Sequence, residues 1–126
     1  MSNSREKVNT KIYDIIVGIE IIINSNYMLK RWSVIFKALG SMSRLKIITI
    51  LAQRNKMIVS HLAKAIDISL KSTSKHLIIL KNLDVLDSVG KDGHVHYSLN
   101  PNPPADVKKA LSLLVGQFAR KGQRPF

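Results

Sequence analysis

The sequence predicts a mainly α-helical fold with one small β-hairpin. Three observations support this. Apolar residues recur at three- and four-residue spacings through most of the chain, serine or glycine stands at several boundaries between these segments, and Asp92-Gly93 separates two short segments rich in β-formers. Hydrophobic residues make up 45% of the 126 residues, which is enough to form a core and argues against disorder over the whole length.

The N-terminal segment predicts a helix from about Arg5 to Ile23, because isoleucines recur there at helical spacing. Its β-branched residues leave a strand as the alternative. Asn24-Ser25-Asn26 then predicts a break, so residues 1–26 form a helical arm. The apolar run 12–23 contains Asp14 and Glu20 and is too short to cross a bilayer.

Two further helices are predicted before the centre of the chain. The first runs from Tyr27 to Leu39 and ends at Gly40, and Ser41 caps the next, which extends to about Arg54. The second of these is apolar nearly all round, which is typical of a central buried helix.

The middle of the chain predicts a helix-turn-helix. After the extended segment 57–59, Ser60 is expected to cap a short helix over residues 61–66, and Asp67-Ile68 makes a tight turn. Ser69 caps the following helix, from Leu70 to about Leu83.

The remaining elements complete a winged helix-turn-helix with additional helices at both ends. Segments 85–91 and 94–99 predict two strands joined by the Asp92-Gly93 turn. Pro104 suits the first turn of a last helix, and residues 121–126 are expected to be a flexible tail. Residues 27–120 therefore form one predicted winged helix-turn-helix domain.

The charge points to a polyanionic partner. Twenty Lys and Arg against eight Asp and Glu give +12, and the excess lies outside residues 1–26, which carry three basic and three acidic side chains. Basic composition that only maintains solubility is the alternative. The chain contains no cysteine, which excludes disulfides and thiolate metal sites.

The helix after the tight turn carries the predicted DNA-binding face, because a helix fits the major groove of double-stranded DNA. The hairpin tip adds a possible contact to the DNA backbone, although Asp92 at the tip opposes it. The candidate DNA-binding residues are Leu70, Lys71, Ser72, Ser74, Lys75, His76 and Lys81 on the helix, with Lys91 and His94 on the hairpin.

Three segments resemble the ArsR/SmtB family of bacterial and archaeal repressors. Residues 38–48 resemble its alanine-leucine, cap, arginine-leucine motif, residues 69–80 its recognition helix, and residues 94–99 the second strand of its wing. The resemblance covers about residues 27–120. It implies a homodimer joined through the first family helix, here Tyr27 to Leu39, and the last, here Ala105 to Ala119, and a repressor released by a ligand. Residues 27–120 would then be the DNA-binding and dimerisation domain, and we expect the apolar side of the arm, residues 1–26, to enlarge the dimer interface. It also matches Arg44 and His76 to family positions that we interpret as structural or phosphate-facing. The candidate dimer-interface residues are Met28, Trp32, Ile35, Val107, Leu111, Leu114 and Phe118.

The usual metal ligands of that family are missing. Ile58 and Ser60 stand at the positions where many relatives have cysteine, and the last helix offers Asp106 but no histidine. His94 and His96 alternate on one strand, which is compatible with a metal pair, but no third ligand is evident. We therefore predict no metal and no cofactor, and the identity of any effector stays open.

The sequence predicts a cytoplasmic, dimeric, double-stranded-DNA-binding transcriptional regulator that acts as a repressor, with no membrane partner. No nucleophile-base pair, Walker loop or glycine-rich fingerprint indicates an enzyme. Two alternatives stay open: a winged-helix module that binds an acidic protein, and an architectural protein that binds every duplex equally.

Overall fold

The computed structural model describes the backbone of residues 4–118 and the side chains of residues 7–117. The chain divides into two compact units between Val34 and Ile35. The predicted tail, residues 121–126, lies outside the described residues.

Five helices and a three-stranded antiparallel sheet make up the described chain. The helices are α1 (Ser4–Leu39), α2 (Met42–Gln53), α3 (Val59–Ile66), α4 (Leu70–Asn82) and α5 (Ala105–Phe118), and the strands are β1 (Met57–Ile58), β2 (Leu86–Lys91) and β3 (His94–Leu99). The strand order is β1-β3-β2. This arrangement confirms the predicted order of elements from residue 27 onward.

The first helix differs from the prediction. Helix α1 is continuous for 36 residues, so the expected break at Asn24-Ser25-Asn26 is wrong, and so is the alternative of a strand. Asn and Ser cost only about 0.5 kcal/mol each relative to Ala inside a helix, and neither removes a backbone hydrogen bond as proline would. Three such residues therefore do not end a helix that continues with Tyr27 and Met28.

The core of the second unit is built around α2, as its all-round apolarity predicts. Ile47, Ile48 and Leu51 of α2 are buried, and the other buried apolar side chains of the core come from α1, α3, α4, β2, α5 and the loop between α4 and β2. Those are Ile35, Ala38, Leu62, Ala63, Ile66, Leu77, Leu80, Leu83, Val85, Leu86, Val107, Ala110, Leu111 and Val115.

The predicted caps and turns are confirmed except at α3. Ser41 and Ser69 each accept a hydrogen bond from the backbone three residues later. Asp92 and Gly93 have φ of 54° and 76°, the left-handed pair that a two-residue hairpin needs. Helix α3 begins at Val59, so Ser60 lies inside it and does not cap it. The backbone of Ile58 opens this helix without any side-chain cap.

Candidate DNA interface

The turn between α3 and α4 fixes how the two helices cross. Asp67 adopts a left-handed conformation with φ of 56°, and the N–H of Ile68 donates to the carbonyl of Ala63 at 3.2 Å. Ala63 is buried, as expected for a small residue at a close crossing. Leu77 and Leu80 on the inner side of α4 are fully buried. Helix α4 is therefore anchored along one side and leaves the other side in solvent.

The start of α4 is held by two side chains. The hydroxyl of Ser69 accepts from the N–H of Ser72 at 3.1 Å, and the hydroxyl of Thr73 donates to the carbonyl of Ser69 at 2.9 Å. The backbone N–H of Thr73 donates to the same carbonyl of Ser69 at 3.0 Å. Thr73 is fully buried, and both its hydroxyl and its N–H thus have a hydrogen-bond acceptor. The first turn therefore presents its outward residues in one defined direction.

The outward face of α4 carries the predicted DNA-binding residues. Leu70, Lys71, Ser72 and Lys75 are exposed, and Ser74 is half-buried. Lys71 and Lys75 are four residues apart, so they are neighbours on one surface of the helix. Helix N-terminal residues of this kind are the ones that reach base edges in a helix-turn-helix. DNA contact by these residues stays a prediction, but all of them have surface available for it.

The C-terminal half of α4 differs in two ways from what the residue types suggest. The ammonium of Lys81 donates to the hydroxyl of Ser88 on β2, so this lysine ties the recognition helix to the hairpin. Ile78 and Ile79 are 54% and 41% exposed, which places two large apolar side chains on the outer surface. The sequence did not single them out, because isoleucines in a helix with one apolar and one polar face are usually assigned to the apolar, buried face.

The hairpin tip is fully exposed. Lys91 of β2 pairs with His94 of β3 next to the Asp92-Gly93 turn, and all four residues lie in solvent. The tip therefore presents a cation beside the Asp92 carboxylate, a mixed charge that supports a contact with phosphate only through Lys91.

Arg44 joins three helices; the resemblance indicated a structural or phosphate-facing position for this residue but not its partners. Its Nε donates to the carbonyl of Ala38 at 2.5 Å, and one Nη donates to the carbonyl of Lys37 at 3.3 Å, both at the C-terminal end of α1. The other Nη lies 3.0 Å from Nδ1 of His76 on α4. Because a guanidinium only donates, Nδ1 accepts and His76 is neutral, with its proton on Nε2.

His76 is therefore part of this bridge rather than an exposed contact residue. It is half-buried, and burial together with the adjacent Arg44 guanidinium lowers its pKa below the ordinary 6.5. Protonation would place two cations against each other and remove the acceptor at Nδ1.

We predict that the free energy of unfolding falls as the pH falls through the ordinary histidine range. Because the pKa of His76 is lowered in the folded chain, the unfolded chain binds more protons than the folded chain in this range. The contribution of His76 to the free energy of unfolding is therefore present above pH 6.5 and is lost as the pH falls below it. Urea unfolding between pH 7.5 and 5.5 should show a shallower pH slope for His76→Gln than for the wild type. His61→Gln, a change at an exposed histidine, should keep the wild-type slope. Equal slopes in all three proteins would contradict this role.

The candidate dimer residues fall into different environments. Ile35, Val107 and Leu111 are fully buried within the single chain, so their assignment to a dimer interface is wrong: they have no surface left for a second copy. Met28 is 63% exposed, whereas Trp32 and Leu114 are half-buried. The side chain of Phe118 lies outside the described residues.

Helices α2 and α5 expose apolar surface that the sequence did not single out. Leu113 and Met42 are 72% and 71% exposed. A groove of about 370 Å³ is lined by Met42, Leu45, Lys46, Thr49 and Leu114. The helical stripe of α5 had suggested Val107 and Leu111 as its interacting side, but that side packs on α2 and the opposite side is free.

Metal-binding side chains do not cluster within the described part of the chain. No group of three His, Cys, Asp or Glu residues there could hold a metal ion. His94 is exposed at the hairpin tip, and His96 is half-buried opposite Val89 and Ile58. Among residues 7–117, no third ligand joins these two histidines in a metal-binding group.

Helix α1 is long and apolar enough to cross a membrane, by length and composition alone. The expectation that the apolar run 12–23 is too short to cross a bilayer considered that run alone, and the continuous helix removes the argument from length. Most of its isoleucines between residues 12 and 23 are about half exposed or more.

The central segment of the chain is similar to known transcriptional regulators. Residues 41–88 match the family described as bacterial regulatory protein, arsR family. The cadmium resistance transcriptional regulatory protein CadC of Listeria innocua is 44% identical over 62 residues, which are 49% of this chain and 51% of CadC. The arsenical resistance operon repressor of Escherichia coli is 32% identical over 77 residues, 61% of this chain and 66% of the repressor. The chain thus spans about half the length of CadC.

A solved structure confirms the fold. The homodimeric winged helix-turn-helix DNA-binding domain of Mb0332 from Mycobacterium bovis, described as a possible ArsR-family transcriptional regulator, superposes with a TM-score of 0.58. The two are 24% identical, and the match covers 79% of this chain and 90% of that one. At this identity the likeness establishes the winged helix-turn-helix fold and nothing further.

Proposed function

The chain carries the winged helix-turn-helix of the ArsR family of bacterial regulators, and from this premise we propose that it is a homodimeric repressor that binds a specific double-stranded DNA site. The observation that carries the proposal is the exposed pair Lys71 and Lys75 at the capped start of α4, in a chain of net charge +12. The anchored inner side of α4 holds this pair in one direction, which sequence-specific contact requires.

The dimer contact proposed here uses the exposed apolar surface of the second unit. Leu113, Leu114 and Met42 would meet the same residues of a second copy, since a two-fold interface uses one patch twice. Two paired domains can then place their α4 helices about 34 Å apart, one turn of B-DNA. The homodimeric state of Mb0332 supports this arrangement.

The proposed regulator is cytoplasmic and needs no metal or cofactor. CadC and the arsenical resistance repressor are named for toxic metals and metalloids. Here Ile58 and Ser60 offer no thiolate at the positions where the family resemblance places cysteines, so we propose that any effector is recognised by other means. Both relatives are transcriptional regulators, which favours the same role over catalysis in this chain.

Selection of a binding site from random duplexes, followed by competition, tests this function. We expect one short sequence to emerge and to outcompete bulk DNA by at least ~10³-fold, as for other specific regulators. Affinity should also fall steeply between 50 and 200 mM salt, because phosphate contacts release counterions. Equal binding to all duplexes would leave an architectural DNA-binding protein. Failure to bind any duplex at low salt would instead favour the protein-interaction module.

A further inference from the structure

We propose that residues 8–29 of α1 form a parallel coiled coil with the same segment of a second copy of this chain. The contact would be a self-association site separate from the winged helix-turn-helix. Apolar residues follow each other at alternating steps of four and three: Val8, Ile12, Ile15, Ile19 and Ile22, and the series resumes at Leu29 after Asn26. Such a series averages 3.5 residues per turn, the period of a left-handed coiled coil.

Among the residues that the structure describes, the side chains of this stripe remain about half exposed or more. The exposed fractions of its apolar members range from 50% at Ile12 and Ile19 to 62% at Ile15 and Leu29. Ile16 and Ile23, each beside a stripe position, are 49% and 51% exposed and widen the stripe. An exposed apolar stripe of this length marks a surface that contacts a protein or a membrane.

The area of the stripe fits a protein partner. Seven isoleucine- or valine-sized side chains at about half exposure offer on the order of 700 Å² per copy, close to the ~800 Å² that each partner contributes to an interface of standard size. The seven are Val8, Ile12, Ile15, Ile16, Ile19, Ile22 and Ile23.

Asn26 indicates the direction of the pairing. It occupies the position in the series between Ile22 and Leu29 where an apolar residue is expected. In a parallel pair each Asn26 meets its own counterpart, and each amide can donate to and accept from the other. A single asparagine at such a position is known to specify register in parallel coiled coils, at some cost in stability. In an antiparallel pair it would face an isoleucine and lose those hydrogen bonds.

The polar residues of the same segment favour this partner over a lipid bilayer. Asp14 and Glu20 lie within the apolar stretch of α1, and in a bilayer both carboxylates would enter the hydrocarbon. Asn24 and Asn26 would do so as well. In the coiled coil, Asp14 and Glu20 lie off the seam and stay in water.

Single-cysteine variants test the pairing directly, because the wild-type chain has no cysteine. Ile19→Cys lies in the seam, and Ile21→Cys is the matched control, since Ile21 is 60% exposed but lies off the seam. Under mild oxidation in the full chain, the seam variant should form a disulfide dimer at least about tenfold faster, because paired thiols have a high effective concentration. Asn26→Cys should also cross-link, as only parallel pairing brings both copies of that residue together.

Sedimentation provides the second readout. In a Leu113→Lys background, which removes the contact proposed for the second unit, Ile15→Lys with Ile22→Lys should weaken the remaining self-association by at least about tenfold. Tyr13→Lys with Ile21→Lys should leave it within about threefold. Equal cross-linking of the Ile19→Cys and Ile21→Cys variants, or flotation of the wild-type chain with neutral phosphatidylcholine vesicles, would overturn the coiled coil. These readouts do not involve DNA, and the Leu113→Lys background removes the other proposed contact, so failure of either part of the proposed function would leave them unchanged.

Discussion

Replacing both Lys71 and Lys75 with alanine is expected to weaken binding to the selected DNA site by at least about 100-fold at physiological salt. Each contact from a recognition helix to a base or phosphate contributes roughly 1–3 kcal/mol. Both side chains are exposed, so the variant should unfold at the same urea concentration as the wild type. The measurement is a titration of the labelled duplex at several salt concentrations, where the slope against salt should also decrease.

The matched control for this experiment removes two lysines with the same spacing from another exposed helical surface. Lys7→Ala with Lys11→Ala lowers the net charge equally, and both residues are exposed on α1. Its affinity should stay within about threefold of the wild type, because these two lysines lie outside the helix-turn-helix and change only the net charge, whose field is screened by salt. If both double variants lost affinity equally, net charge rather than the face of α4 would explain DNA binding.

Replacing Arg44 with alanine is expected to lower the free energy of unfolding by about 2–3 kcal/mol. The guanidinium donates to two carbonyls at the end of α1 and to the Nδ1 atom of His76. A hydrogen bond to a charged group contributes ~1.5–3 kcal/mol, and in the variant water replaces part of these hydrogen bonds. The variant also removes the contact that holds His76 of α4 to the end of α1. DNA affinity should therefore fall, although the residues proposed to contact DNA are unchanged.

Arg54→Ala is the control for this change, because Arg54 is an exposed arginine that follows the end of the same helix. Its effect on unfolding should stay within about 0.5 kcal/mol, as for other surface substitutions. Urea unfolding of both variants at pH 7.5 measures the difference. A loss for Arg44→Ala no larger than that for Arg54→Ala would mean that the bridge does not stabilise the fold.

Local signals in the sequence predicted much of the fold. Asp92-Gly93 specifies a turn with two left-handed residues, and few other residue pairs adopt it without strain, so the strand His94–Leu99 was predicted to the residue. Ser41 and Ser69 cap their helices because a hydroxyl oxygen can accept from the free N–H groups of a first turn.

The errors arose where a local signal competes with the wider structure. Asn24-Ser25-Asn26 favours a break only weakly, and the flanking helical segments override it. Residues of α5 were assigned to the dimer interface because they form an apolar stripe. A stripe alone does not indicate whether it packs against the same chain or against a second copy. For Val107 and Leu111 the partner is the same chain.

The candidate site was less predictable than the fold. Exposure of Lys71 and Lys75 follows from helical periodicity, and the structure agrees with it. The contacts of Arg44 with His76 and of Lys81 with Ser88 join residues 32 and 7 positions apart. Such pairs depend on how whole elements pack, and one sequence does not contain that information.

Footprinting of the bound protein on the selected DNA, with hydroxyl radicals and with a reagent that reads the major groove, tests the central claim most directly. Two α4 helices held by a dimer should protect two major-groove segments whose centres lie about one helical turn, ~10 base pairs, apart on the same side of the duplex. A single protected segment, or uniform protection along the DNA, would contradict a paired recognition helix.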